Sequence, residues 1–446
     1  MSLAAWIGNK RVGTLTHSDA TGQFGFAYEQ GWIAARDSFP LSPALPFASL
    51  QDDPPEIHSA RVRRFFENLL PEGQALDDAA RAAGLGRGNL YGLVRALGRE
   101  SAGAIALLPE GERPDQLTAI KRPVPLQELS DRIRSRREIP FSVWDGKVRM
   151  SIAGLQDKLS VYQDADESLH LVEGSLASTH ILKPEPDNDR IRHLVANEHF
   201  CLALANALGL PVASARILRV PEPVLVVERF DRRRVQEGVQ GVQRLHIIDA
   251  CQALDLPASS KYERNLGSGR DVIHIREGAS FEKLFSLTGY SANQAADRMA
   301  LLRWAIIQFL IGNSDAHGKN VSFFVSHAGL AMAPAYDLVA ITLYDGIDHD
   351  LAMGIGDDFK LDDVRAFSWA DFAVRCGLER RLVAREMKRC AAKAAAAIEE
   401  ILGRGAYTED ETKLLEKAGV FVRSQAARLL EFADEVPKID ESHLRP

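Results

Sequence analysis

A polar loop in the second half of the chain carries side chains that suit metal-dependent chemistry on a phosphate ester. Asp315 and Asn320 lie five positions apart in the loop 312–320, and Asp337 follows after a strand-like segment. Carboxylate and amide oxygens are hard ligands of the kind that Mg²⁺ prefers, and a carboxylate without a metal can accept the proton of an attacking hydroxyl. These side chains therefore predict transfer of a phosphoryl group from ATP with magnesium as cofactor.

The order of these residues along the chain is more specific than any one of them. An aspartate, an asparagine five positions later, a strand and a second aspartate is the arrangement found in protein kinases. We interpret Asp315 as the catalytic base and Asn320 and Asp337 as magnesium ligands. The loop taken alone also fits a turn in which aspartate and asparagine side chains bond to the backbone. That alternative stays open.

Residues suited to hold the rest of the nucleotide precede this loop. A strand-like segment ends at Lys183, which suits an ATP phosphate, and Glu198 in the following helix is a candidate ion-pair partner for this lysine. The apolar run 224–231 predicts a strand whose end, at Glu228 and Phe230, could offer backbone groups to adenine. An ordinary buried strand explains the same run equally well.

The segment from Ser151 to Lys158 is a candidate phosphate-binding loop. It contains the small residues Ala153 and Gly154, which leave backbone NH groups accessible to phosphate oxygens. The segment matches neither the Walker A motif nor the dinucleotide-binding fingerprint. A strand end that only packs is the structural alternative for Ser151.

The distribution of strands, helices and prolines predicts an α/β (α+β) first part with a mixed sheet and a mainly α-helical C-terminal lobe, arranged as in a two-lobed protein kinase. Helical spacing appears at 61–70, 74–83, 90–97, 188–208 and 295–311, and strand-like runs at 104–108, 151–162, 169–172, 179–183, 215–220 and 224–230. Prolines between 109 and 125 indicate a boundary. We predict domains at 1–110, 140–235 and 236–446.

Composition is ordinary for a globular protein. The 446 residues carry a formal net charge of −7, which argues against general nucleic-acid binding by the whole chain. The basic segment 121–137 fits a solvated helix face better than a binding patch. Four scattered cysteines fit neither disulfides nor a zinc site, and no run reaches a membrane span of about 20 apolar residues. We expect a cytoplasmic protein with no membrane contact.

Motifs along nearly the whole chain resemble the HipA family, the serine/threonine-protein kinase toxins of type II toxin-antitoxin systems. The matching segments are FFENLLPEG (65–73), GRESAGAIALLPEG (98–111), SIAGLQDKLSVY (151–162), THILKPE (179–185), NEHFCLALANALGL (197–210), VVERFDRR (226–233), CQALDLPASSKYE (251–263), IGNSDAHGKNVSFF (311–324), APAYDL (333–338) and LAMGIG (351–356). The resemblance implies an ATP- and Mg²⁺-dependent protein kinase with a separate N-terminal region.

The resemblance also implies roles for individual residues. Lys183 would bind phosphate, Glu228 and Phe230 would form the adenine hinge, and His317 would lie close to the nucleotide. Ser151 matches the serine that the family autophosphorylates, a modification that expels the adjoining loop and silences the kinase. About two added negative charges beside a phosphate-binding loop repel ATP, which makes this regulation physically reasonable.

The chain departs from the family pattern at one place. Ile247 and Ile248 stand where the resemblance leads us to expect a glutamine and a glutamate, so a nucleotide contact made by that polar pair is in doubt. The family further implies a HipB-like DNA-binding antitoxin as partner, contact with DNA only through it, and an aminoacyl-tRNA synthetase as a protein substrate.

Two other functions remain as alternatives on the same scaffold. One is a catalytically silent nucleotide-binding sensor or co-repressor subunit, which retention of every charged member of the proposed site disfavours. The other is a small-molecule kinase, which the Ser151 segment disfavours. Phosphate transfer to a protein distinguishes the protein kinase from both.

Overall fold

The computed structural model describes residues 1–48, 53–149, 156–235 and 241–444. By its internal contacts the chain divides into two compact units. Unit 1 comprises Met1–Pro184, Leu218–Ala258 and Phe323–Ala333, and unit 2 comprises Glu185–Ile217, Ser259–Ser322 and Pro334–Pro446. Both units are therefore assembled from segments distant in sequence.

The N-terminal part of unit 1 combines an antiparallel sheet with short helices. Its strands are in the order β3-β2-β1-β4. In chain order the elements are β1 (Ser2–Ile7), β2 (Lys10–His17), β3 (Phe24–Tyr28), α1 (Gln30–Ile33), α2 (Pro55–Glu67), α3 (Gly73–Ala82), α4 (Leu90–Leu97) and β4 (Ile105–Pro109). Phe66 of α2 is fully buried and its ring lies 5.8 Å from that of Phe26, so apolar spacing fixes the helix face that packs on the sheet.

A second sheet, whose strands other than β11 lie in unit 1, carries segments predicted to bind nucleotide. Its order is β11-β12-β10-β8-β9-β5. The elements of this region are β5 (Ile120–Pro123), α5 (Leu126–Arg134), β6 (Val143–Trp144), β7 (Lys147–Val148), β8 (Leu159–Gln163), β9 (Leu169–Glu173), β10 (His180–Pro184), β11 (Ala215–Arg219) and β12 (Pro223–Glu228). Leu129 and Ile133 of α5 join Leu159 and Leu182 of the sheet in one buried core.

The basic segment around α5 is occupied by local contacts. Arg122 pairs with Glu128 at 2.6 Å, and Arg134 with Glu222 at 2.6 Å. The guanidinium carbon of Arg132 lies 5.2 Å from the ring centroid of Trp144. These contacts support the interpretation of this segment as a helix face.

Shorter strands complete unit 1. The remaining elements are β13 (Arg232–Arg234), β14 (Val242–Arg244), β15 (Ile247–Asp249), α7 (Ala250–Ala253), β16 (Ser322–Ser326) and β17 (Gly329–Met332). β13 pairs with β14, while β15, β16 and β17 form a sheet in that order. Ile247 and Ile248 are both buried in β15, so this apolar pair contributes to packing.

Unit 2 is dominated by helices, with a single hairpin formed by β18 and β19 among its described residues. Its elements are α6 (Leu194–Ala207), α8 (Phe281–Ser286), α9 (Gln294–Ile311), β18 (Asp350–Ile355), β19 (Asp358–Lys360), α10 (Ala366–Arg375), α11 (Arg380–Gly403) and α12 (Glu409–Glu435). Helix α9 is apolar on most of its circumference and correspondingly buried, as its sequence predicts. Within the described ranges, the structure contains no helix with the length and apolar character needed to cross a bilayer.

The prediction of a mixed helix and sheet architecture is confirmed, with differences in detail. The single helix expected at 188–208 is a short 3₁₀ turn, Asp189–Ile191, followed by α6, which begins at Leu194. His193, between the 3₁₀ turn and α6, has a left-handed backbone with φ 62°. The strand expected from 151 begins at Leu159 in the described residues. The part after residue 236 contains more strands than its helical periodicity indicated.

Candidate active site

The loop with the proposed catalytic residues begins where α9 ends. Gly312 ends the helix in a left-handed backbone conformation, φ 66°, which favours glycine. A Cβ atom there would lie 2.2 Å from Oγ1 of Thr342 and 2.7 Å from a ring carbon of Phe421. Close packing therefore fixes the point at which the chain leaves the helix, and with it the start of the loop.

The amide of Asn313 connects the two predicted aspartates. Its Nδ2 donates to Oε1 of Gln308 in α9 at 2.9 Å and to the backbone oxygen of Asp337 at 3.4 Å. Its Oδ1 accepts from the backbone NH of Asp315 at 3.2 Å. One buried side chain thus holds the backbones of Asp315 and Asp337 in a single network with the helix.

The carboxylate of Asp315 is contacted by a residue that is distant in sequence. The hydroxyl of Tyr262 donates to Oδ1 of Asp315 at 2.7 Å. The backbone reinforces this approach, since the NH of Gly318 donates to the oxygen of Lys261 at 2.9 Å. The segment ending at Glu263 is therefore part of the site.

Asn320 has the surroundings expected of a metal ligand. It ends the 3₁₀ turn Gly318–Asn320 and is 6 % exposed. Its Oδ1 is buried and makes no hydrogen bond to any described residue. A buried acceptor left unpaired is costly unless a ligand satisfies it, and an amide oxygen suits a hard cation.

Asp337 lies close to this turn and is half-buried. Its backbone is left-handed, φ 53°, a conformation that aspartate tolerates better than most residues. The preceding Tyr336 anchors it, because its hydroxyl donates to the backbone oxygen of Lys319 at 2.7 Å. No three His, Cys, Asp or Glu side chains converge as a metal site in the described parts of the chain. A set formed by one carboxylate and one amide fits magnesium, which keeps several waters and phosphate oxygens as further ligands.

His317 is neutral in this setting. Burial lowers its pKa well below the ordinary value, and the nearby charge of Lys261 lowers it further, whereas Asp337 acts in the opposite direction. The imidazole lies edge to face with the ring of Tyr262 at 5.2 Å between centroids. A neutral imidazole can donate or accept a hydrogen bond but contributes no positive charge to the site.

The predicted nucleotide-binding residues of unit 1 belong to adjacent strands of the second sheet. Leu159 of β8 pairs with Leu182 of β10 in an antiparallel register, so Lys158, which precedes β8, and Lys183 are the next positions on the same side of this pair. Both lysines are buried, each with 6 % of its surface exposed. Their neighbouring positions make both lysines candidates for contact with phosphate oxygens.

The predicted adenine hinge lies at the end of β12. Glu228 is exposed and pairs in register with His180 of β10. Phe230 is half-buried, with its ring 6.1 Å from that of Phe324. Glu228 therefore ends the strand that pairs with β10, the strand that carries Lys183, and Phe230 follows two positions later.

Several predictions lie outside these geometric findings. Ser151, Ala153 and Gly154 fall outside the described residues. Glu198 is buried in α6 of unit 2, and its pairing with Lys183 stays a prediction.

Sequence reasoning missed residues that hold Asp315. Tyr262 and Asn313 were recognised only as parts of longer motifs, without roles of their own. Asn313 could have been noticed because it lies two positions before Asp315 in a turn, where asparagine bonds to backbone NH groups. Tyr262 offers no comparable signal, because it is 53 positions from Asp315.

Comparison with known proteins places these features in a family. Residues 3–117 match the family described as HipA N-terminal domain, and residues 150–398 match the HipA-like C-terminal domain. The chain belongs to the HipA family. The resemblance predicted from the sequence motifs is thereby confirmed.

Relatives in the HipA family match over almost their full lengths. The chain is 38 % identical to the serine/threonine-protein kinase toxin HipA of Shewanella oneidensis, over 99 % of this chain and 98 % of the relative. It is 34 % identical to the putative kinase Y4mE of Sinorhizobium fredii, over 97 % of this chain and 96 % of that protein. The prediction of a HipA-type serine/threonine-protein kinase is confirmed by these comparisons.

A solved structure agrees with the fold of this HipA-family chain. The complex of HipA, HipB and operator DNA from Shewanella oneidensis contains a chain that matches with a TM-score of 0.86 at 37 % identity. The match covers 98 % of this protein and 100 % of the matched chain in that complex. Both the N-terminal and C-terminal parts of the fold are therefore shared with a HipA protein.

Proposed function

We propose that this HipA-family kinase transfers the γ-phosphate of ATP to a serine or threonine hydroxyl of a protein, with Asp315 as base. The observation that carries the proposal is the network around Asp315, in which Tyr262 holds its carboxylate and Asn313 ties its backbone to that of Asp337. The buried Oδ1 of Asn320 in the same loop makes no hydrogen bond to the residues that the structure describes, which supports its role as a metal ligand.

In this mechanism Asp315 orients the substrate hydroxyl and receives its proton. As the hydroxyl oxygen bonds to the γ-phosphorus, the proton passes to the carboxylate, and the bond to the bridging oxygen breaks with its electron pair leaving on ADP. Asn320 and Asp337 would hold the magnesium ion. When bound, magnesium neutralises charge on the phosphates.

The remaining nucleotide-binding residues are proposed from the sequence. Lys158 and Lys183 contact phosphate oxygens, and backbone groups at Glu228 and Phe230 contact adenine. The positions of the two lysines, both next to the paired residues Leu159 and Leu182, support the phosphate assignment. The two-lobed, protein-kinase-like architecture with domains at 1–110, 140–235 and 236–446 belongs to the same proposal.

The metal role of Asn320 leads to a prediction for Asn320→Ala. The variant loses an amide oxygen that nothing else in the described residues uses, so we expect the Mg²⁺ concentration for half-maximal transfer to rise by roughly tenfold or more. Transfer rates measured across a magnesium titration test this, with Asn206→Ala, an exposed helical position, as control. An unchanged magnesium requirement in Asn320→Ala contradicts the role.

Regulation by Ser151 is the second part of the proposal. Autophosphorylation there adds about two negative charges beside the proposed phosphate-binding loop that contains Ala153 and Gly154, and ATP binding weakens. We expect a mass increase of one phosphate on the peptide with Ser151. Ser151→Ala should then keep its activity during incubation with ATP, while Ser168→Ala, at an exposed turn, should lose activity like the wild type. Phosphate found only at other positions excludes this regulation.

We further propose a HipB-like antitoxin as partner, with any DNA contact made through it. Support comes from the solved HipA, HipB and operator DNA complex, whose HipA chain this protein matches along its length. An aminoacyl-tRNA synthetase as the protein substrate, and a cytoplasmic location, stay predictions. A silent nucleotide sensor is the alternative, and it predicts ATP binding without any phosphoprotein product.

A further inference from the structure

Tyr262 contacts Asp315, the proposed base, but lies outside the loop 312–320 that contains this aspartate. Its hydroxyl donates to Oδ1 of Asp315 at 2.7 Å, within the range of a hydrogen bond to an ionised acceptor. A donor at one carboxylate oxygen restricts rotation of the group about its last torsion. It also stabilises the ionised form that accepts a proton.

We propose that Tyr262 is a positioning residue for phosphoryl transfer, which holds the carboxylate of Asp315 ionised and turned toward the substrate hydroxyl. The inference rests on the proposed function, since it assigns to Tyr262 the control of the base in that reaction. Tyr262 itself acts through Asp315 and requires no contact with ATP or with the protein substrate.

The backbone on both sides of Tyr262 is fixed to the catalytic loop. The oxygen of Lys261 accepts from the NH of Gly318 at 2.9 Å. The NH of Glu263 donates to the oxygen of Ala352 at 2.9 Å, and the NH of Ala352 donates to the oxygen of Ser314 at 2.8 Å. Both paths lead to residues within three positions of Asp315, so the tyrosine and the aspartate are held in one rigid frame.

The side chain of Glu263 is held by hydrogen bonds next to Tyr262. It is 2 % exposed, and its Oε2 accepts from the NH of Gly354 at 2.8 Å while Oε1 accepts from Arg276 at 2.5 Å. A buried carboxylate with donors on both oxygens resists displacement, because leaving either donor unpaired is costly. Glu263 therefore fixes the position from which Tyr262 reaches Asp315.

The aromatic ring of Tyr262 is also enclosed. His317 lies edge to face with it, and the ammonium of Lys261 is 5.3 Å from its centroid. Other charged groups that influence this pair are Lys319 and Asp337, both of which act on the imidazole of His317. Tyr262→Phe keeps the ring and all these neighbours, so the substitution isolates the hydroxyl.

The test compares wild type, Tyr262→Phe and Tyr290→Phe, the last an exposed tyrosine in the same unit. We expect kcat of Tyr262→Phe to fall roughly tenfold to a hundredfold, the range for losing a hydrogen bond to a charged group, with KM for ATP unchanged. The acid limb of its pH profile for kcat should move to higher pH, because an aspartate without this donor protonates more readily. Tyr290→Phe should behave as wild type.

Each outcome separates the inference from the proposed function. A fall in kcat with a displaced acid limb supports the positioning role. A Tyr262→Phe protein that matches an active wild type in kcat and pH profile overturns the role of Tyr262 alone. A wild type that transfers no phosphate to protein overturns the proposed function and the inference with it. A lower kcat with an unmoved acid limb shows only a packing effect and also overturns the positioning role.

Discussion

Asp315→Asn is expected to lower the rate of phosphoryl transfer by about a hundredfold to ten-thousandfold, the usual contribution of a general base. The amide keeps the size of the carboxylate and can still accept the hydrogen bond from Tyr262. It cannot take the proton of the substrate hydroxyl. Since binding of ATP does not require the base, calorimetric affinity for ATP should change little while the transfer rate collapses.

The matched control is Asp434→Asn, which makes the same chemical change at a side chain that is 65 % exposed. This variant should transfer phosphate at the wild-type rate. Thermal unfolding of both variants should match the wild type, because Asp315 is only half-buried and its replacement preserves volume. An Asp315→Asn protein with undiminished transfer contradicts the assigned mechanism.

Asp231→Asn is expected to destabilise unit 1 by about 3–5 kcal/mol, the cost of removing one partner from a buried ion pair. Oδ2 of Asp231 lies 2.7 Å from Nη2 of Arg229 and 2.8 Å from Nη1 of Arg232. Each of these side chains is at most 5 % exposed. The same Oδ2 of Asp231 also accepts from the NH of Gly103 at 2.8 Å. Neutralising the carboxylate leaves two buried guanidinium groups without their shared anion.

The same cluster connects the end of β12 to the segment that precedes β4. Arg232 donates to the oxygens of Ser101 and Gly103, and Arg229 donates to the oxygen of Ser101. Arg244 also donates to the oxygen of Gly103. We therefore expect Asp231→Asn to loosen the contact between the N-terminal sheet and the strand that leads to the proposed hinge.

Chemical denaturation measures the effect on stability, with Asp37→Asn as the control. Asp37 pairs with Lys10 at 2.7 Å, but its side chain is 63 % exposed, and such surface pairs contribute little to stability. If Asp231→Asn lowers the free energy of unfolding no more than Asp37→Asn does, the stabilising role of the buried Asp231 carboxylate is contradicted.

The pH dependence of stability provides an independent check on Asp231. Burial raises its pKa, but the charges of Arg229 and Arg232 lower it by more, so the net pKa lies below the ordinary value of 3.8. A depressed folded-state pKa gives stabilisation that is complete above the unfolded pKa and is lost as the pH falls through the folded value. Wild type should lose stability below about pH 4 more steeply than Asp231→Asn.

Local sequence patterns predicted the elements and the chemistry that depend on neighbouring residues. The apolar run of α9 and the glycine at its end placed the loop with Asp315 and Asn320, because periodicity and a left-handed helix end are local properties. The spacing of aspartate and asparagine then predicted a metal-dependent site. Family membership confirmed the class of enzyme.

Contacts that join distant segments could not be predicted in this way. Tyr262 reaches Asp315 only because the backbone around Glu263 is paired with β18, and the spacing of residues does not encode that pairing. The carboxylate of Asp231 similarly accepts a hydrogen bond from the NH of Gly103, which lies 128 positions away. The strand-like segment after Asn320 is β16, whereas β14, β15 and β17–β19 were missed because they are short and their apolar pattern is mixed with that of the helices.

Phosphoproteomics after induction of the chain alone tests whether Asp315 drives phosphorylation of protein hydroxyls. Cells that express the wild type are compared with cells that express equal amounts of Asp315→Asn. We predict new phosphoserine or phosphothreonine sites on other proteins with the wild type and none of them with the variant. The same new phosphosites in both samples would contradict the role of Asp315. The absence of new phosphosites with a wild-type protein that binds ATP would contradict protein kinase activity.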